Sequence, residues 1–107
     1  MIRLTVLYNL PAGTDETAFL EWRVTEHQKN NQSMPGVQRT SFARITNCWP
    51  DGANSSYRFQ TLVEWPDRPT FEAGFYDPTV QAKLKQDLKL LGDYEFIVSD
   101  VLIESDA

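Results

Sequence analysis

Apolar and polar positions alternate over residues 2–10: Ile2, Leu4, Val6, Tyr8 and Leu10 share one face, and Arg3, Thr5, Leu7 and Asn9 the other. Period two over this length predicts a strand with one fully apolar and one mixed face. The spacing then becomes helical, from a cap at Thr14 or Asp15 to about Asn30. Ala18, Phe19 and Trp22 form one stripe of that helix; Leu20, Val24 and His27 form a second, roughly opposite. Pro35-Gly36 ends the connection. Residues 37–49, rich in Thr, Ile, Val and Phe, predict a long second strand, and residues 50–55 a turn. Residues 57–65 predict a third strand, with Arg58, Gln60, Leu62 and Glu64 on one face and Tyr57, Phe59, Thr61, Val63 and Trp65 on the other. Residues 67–76 predict a short helix with Pro69 in its first turn. Pro78 opens another helix, to about Leu91, closed by Gly92. Alternation returns over residues 94–103, the last strand.

The order β-α-β-β-α-β in one compact chain predicts an α+β, ferredoxin-like fold: a four-stranded antiparallel sheet with both helices on one face. No predicted helix is left for the other face, although it bears Leu7, Leu62, Ile97, Val101 and Ile103. A half-apolar open face marks an interface. A second copy stacked sheet to sheet, as a two-fold homodimer, is the economical cover. A cavity is then expected between the sheet and the helix layer or the dimer mate.

At 107 residues the chain predicts a single domain over 1–107, and 41% hydrophobic against 23% charged residues fits a globular rather than a disordered chain. A net charge of −5 argues against nucleic-acid binding and against adhesion to anionic lipid. No apolar run approaches a membrane span. One cysteine, Cys48, allows no intrachain disulfide and points to a reducing cytoplasm. One histidine and one cysteine are too few for an ordinary zinc set, and there is no phosphate-binding glycine loop, so no metal and no cofactor are expected.

His27 is the leading catalytic candidate, because imidazole titrates near neutrality without help. Its bland alternative is a helix-packing residue. Asn9, at the end of strand one, could donate to a carbonyl or enolate oxygen, or simply start the Asn-Leu-Pro turn. Tyr8, Trp22 and Arg23 are candidate substrate-binding residues. Arg58, Gln60 and Glu64 are candidates too if their face lines the cavity; otherwise they form a solvated edge or intersubunit ion pairs.

The segment Phe19-x-x-Trp22-Arg23-x-x-Glu26-His27 resembles the first helix of EthD and REDY-like (HapK-like) proteins of the dimeric α+β barrel superfamily. Tyr8-Asn9-Leu10-Pro11, Pro35-Gly36, the strand-ending Trp65 and Phe71-x-x-x-Phe75 before Asp77-Pro78 are similar as well. Where such proteins often follow the histidine with an apolar residue and a proline, this chain has Gln28-Lys29-Asn30-Asn31. The resemblance implies a dimeric barrel holding a small hydrophobic ligand. EthD-type proteins accompany ether-degrading monooxygenases, and REDY-like proteins accompany prodiginine pigment pathways such as prodigiosin biosynthesis. Other superfamily members are isomerases, cyclases or cofactor-free monooxygenases. The resulting expectation is an aromatic, pyrrole or polyketide-type ligand. Either cofactor-free proton transfer, cyclisation or condensation follows in secondary metabolism, or non-catalytic binding as accessory to a larger enzyme.

Overall fold

The computed structural model describes residues 1–106. Four strands, β1 (Ile2–Tyr8), β2 (Arg39–Arg44), β3 (Phe59–Trp65) and β4 (Tyr94–Asp100), form one antiparallel sheet in the order β2-β3-β1-β4. The first crossover is helical from Glu16 to Gln32: α1 (Glu16–Trp22), a π turn (Arg23–His27) and α2 (Gln28–Gln32). The second holds α3 (Arg68–Phe75), α4 (Pro78–Asp87) and a 3₁₀ turn (Leu88–Leu90). This is the expected α+β ferredoxin-like arrangement. Among the described residues no helix is long and apolar enough to cross a membrane.

Aspartates start three of the helices. Asp15 accepts from Ala18 N (3.1 Å), Asp67 from Thr70 N (2.8 Å), and Asp77 from Thr79 N and Val80 N (2.9 and 3.2 Å). Each satisfies N–H groups that a helix start leaves without partners. Pro69 and Pro78 sit in the first turns, where a missing N–H costs little. With no proline after His27, helix one runs on to Gln32.

Alternation along the strands decides which side is covered. Ile2, Leu4, Val6 and Tyr8 of β1 and Phe59, Thr61, Val63 and Trp65 of β3 lie buried under the helices, with Phe71 and Phe75 of α3 packed on them. Register puts Gln60, Leu62 and Glu64 on the opposite face with Arg3, Thr5, Leu7 and Ile97. On that open face Glu64 is sunk between two guanidinium groups, Arg3 at 2.9 Å and Arg39 at 3.7 Å.

All four strands are shorter than their patterns predict: β1 stops at Tyr8 rather than Leu10, β3 starts at Phe59 rather than Tyr57, and β2 and β4 lose more. β2 ends at Arg44, and the chain closes a separate loop in which Cys48 N donates to the Ala53 carbonyl. β4 ends at Asp100 because its partner there is Ile2, near the start of β1; only Val101 N→Met1 O (2.9 Å) extends the pairing. Leu102 and Ile103 are left 93% and 87% exposed.

Candidate functional site

Between sheet and helices lies a cavity of ≈ 480 Å³. Leu4, Val6, Tyr8, Thr61 and Val63 form its floor. Phe19, Trp22, Arg23 and His27 line it from helix one, and Val80, Lys83, Leu84 and Asp87 from α4. Met34, Phe75, Leu91 and Phe96 complete the apolar wall.

The π turn organises the wall on helix one. On an α-helix, residues five apart differ by about 140° in direction. A π turn bonds i to i+5 and brings such residues together. Trp22 and His27 accordingly come into contact, with ring centroids 4.7 Å apart and planes tilted by 32°, and Arg23 Nη1 donates to Gln28 Oε1 at 2.8 Å. The expected second stripe of Leu20, Val24 and His27 does not form. Val24 is 57% exposed, while His27 joins the side of Trp22.

Arg23 is buried to 1% exposure. Its Nη2 donates to Thr61 Oγ1 (3.1 Å), its guanidinium carbon lies 4.2 Å from the centre of the Phe42 ring, and the Tyr8 hydroxyl is in hydrogen-bonding contact with it. Burial raises the Tyr8 hydroxyl pKa, against the opposing pull of Arg23. Burial also lowers that of Arg23.

His27 Nδ1 is sealed from solvent, without a hydrogen-bond partner among the described residues, and 3.5 Å from Asp87 Oδ2. At that separation the contact is an ion-pair approach rather than a hydrogen bond. Burial, with the positive charges of Arg23 and Lys83, holds the imidazole down to about 4, so it is neutral at pH 7 rather than poised near neutrality as the sequence suggests. Burial raises the Asp87 carboxyl, opposed by Lys83, whose Nζ is 3.9 Å away.

Of the residues singled out from sequence, Tyr8, Trp22, Arg23 and His27 converge on this cavity. The other four do not line it. Asn9 spends its amide on the backbone: Nδ2 donates to Ser56 O (2.8 Å) and Oδ1 accepts from Arg58 N (2.9 Å). It rivets the end of β1 to the loop before β3, a role that neither expectation for Asn9 named. Arg58 is exposed and ion-paired to Glu16 at 3.0 Å. Gln60 and Glu64 point to the open face, since the helices cover the Thr61–Val63 side. Sequence reasoning missed Thr61, Lys83 and Asp87. The last two are spaced i, i+4, which reads as an ordinary solvated pair. No group of three metal-ligating side chains converges among the described residues.

Solved structures show the same fold. An EthD family protein from Bacillus halodurans superposes with a TM-score of 0.77 at 21% identity, over 95% of this chain and 99% of that one. HapK from Hahella chejuensis gives 0.73 at 21% identity, over 100% and 98%. A protein from Thermobifida fusca described as dimeric, ferredoxin-like and of unknown function gives 0.70 at 18%, over 94% and 90%. Among curated proteins none matches the sequence. The family profile described as REDY-like protein HapK matches residues 2–102, and on that match the chain belongs to the REDY-like HapK family.

Proposed function

We propose that this chain works in the cytoplasm as a homodimer that binds a flat hydrophobic compound, of aromatic, pyrrole or polyketide type, in its cavity. There His27 moves a proton on the ligand without a cofactor. One observation carries this reading: a neutral imidazole in an apolar cavity wall, packed against the Trp22 ring, with a carboxylate 3.5 Å from Nδ1. With Nδ1 facing Asp87, Nε2 is the nitrogen available to a ligand. It would take a proton from a carbon beside a carbonyl. The resulting imidazolium, drawn toward Asp87, would return that proton at another atom, as isomerisation or ring closure requires.

Deuterium uptake from D₂O at the acidic CH₂ of 2-tetralone, a small flat ketone, tests the proton transfer. The wild type should accelerate exchange, and His27→Ala should lose about 10²–10⁴-fold while still binding the ketone. Binding without acceleration by the wild type would leave the second reading, a non-catalytic carrier or accessory protein. Two observations favour that alternative. Asn9 is committed to backbone and offers no amide to a developing oxyanion, and a base held near 4 is a weak one.

The open sheet face, which carries Leu7, Leu62 and Ile97, supports the dimer. Sedimentation should find a dimer at micromolar concentration, with an interface of about 2,000 Å². Ile97→Asp should shift it to monomer, because a charge would be buried unpaired. A wild-type monomer under those conditions would end this part of the proposal.

A further inference from the structure

Five charged or titratable side chains border the cavity besides Tyr8: Arg23, His27, Asp77, Lys83 and Asp87. Asp77 caps α4, and Lys83 and Asp87 answer one another. His27 is held neutral by burial. Arg23 has no carboxylate within ion-pair distance among the described residues. Its neighbours are the Gln28 amide oxygen, the Thr61 and Tyr8 hydroxyls and the Phe42 ring, all uncharged. Tyr8 does not supply the counter-charge, since burial keeps its hydroxyl protonated.

A guanidinium this deeply buried is unfavourable without an anion, because fixed neutral dipoles replace its hydration only in part. The group offers five N–H donors, and three neutral acceptors do not exhaust them. Its planar fork matches a carboxylate, and the surrounding apolar wall leaves the attraction unscreened. The chain carries a net charge of −5, so no general basic field explains a cation here; the positive charge is local to the cavity.

We infer that the ligand is an apolar monoanion, a flat carboxylic acid whose carboxylate docks on Arg23 beside Thr61 while its ring system fills the space between Trp22, Phe75 and Leu84. This rests on the cavity being the ligand site and names the chemical class of the compound it takes. Its charge sits at the sheet floor and its body lies under α4.

A matched pair of probes tests it: 2-naphthoate, ionised at pH 7.5, and its neutral isostere 2-naphthamide, compared by calorimetric titration. The wild type should bind the acid at least tenfold more tightly than the amide. The preference should survive 0.5 M NaCl, because a buried pair is little screened. Arg23→Met should erase the preference and keep the affinity for the amide. Should that variant fail to fold, the wild-type comparison at both salt concentrations still decides. Equal binding of acid and amide by the wild type, or a preference lost in salt, would overturn the inference while leaving the apolar cavity as a ligand site. Failure of both probes to bind at millimolar concentration would overturn the cavity reading and the inference with it.

Discussion

Trp65→Ala is expected to cost about 3–5 kcal/mol, the range for deleting a fully buried large aromatic. Trp65 ends β3 at 0% exposure, with Phe71 edge-on at 5.0 Å and Phe75 at 6.2 Å. It also makes a polar tie: the indole Nε1 donates to the Pro35 carbonyl at 3.0 Å, holding the loop between helix one and β2 against α3. Gly74 permits that tie, because a Cβ there would collide with the same carbonyl oxygen. Gly74→Ala should therefore lose about 1–3 kcal/mol through overpacking. Trp65→Phe, which keeps most of the apolar area, should lose nearer the ~1 kcal/mol of the hydrogen bond. Urea unfolding at constant m-value measures all three. A loss below 1 kcal/mol for Trp65→Ala would mean that this corner is not where helix layer and sheet are joined. Because Pro35 also borders the cavity, both alanine variants should weaken ligand binding as well.

Acidification from pH 7 to pH 4 should destabilise the wild type by up to about 3 kcal/mol more than it destabilises His27→Gln. The imidazole titrates at about 4 when folded and near 6.5 in the free chain. The unfolded state therefore binds the proton first, and its stability contribution is present above 6.5 and is lost as the pH falls toward 4. The side chain is only 19% exposed, so solvent screens little of this effect. Asp87 works in the opposite direction. Its raised folded pKa lets the folded state take up a proton more readily, which returns part of the loss. Urea midpoints of the two proteins across this range isolate the histidine contribution, since glutamine does not titrate. Parallel curves would place His27 in a solvated environment and remove the basis for its being neutral in the cavity.

The succession of strands along the chain and the core were legible because a period of two needs no knowledge of neighbours. Ile2, Leu4, Val6 and Tyr8 announce a buried face wherever the strand lies. The ends of β2 and β4 were not legible, because pairing stops where the partner strand stops, and a partner's length is not encoded in the strand itself. The same limit governed the site. Alternation separates Gln60 and Glu64 from Thr61 and Val63 but does not say which set the helices cover. Trp22, Arg23 and His27 stood out as a motif. Their common direction was hidden, since 3.6-residue spacing assigns Trp22 and His27 to different sides. Asp87, sixty positions further on, reaches His27 only through the packing of α4 against helix one.

The π turn has a consequence for comparing relatives. It holds one residue more than the α turn it replaces, so Trp22 and His27 face one another at a separation of five. A relative lacking one residue between Arg23 and His27 would bring the same two rings together at a separation of four, on an unbroken α-helix. Aligned without a gap at this point, the two sequences would pair His27 with its neighbour's next residue, and a shared histidine would be scored as a substitution.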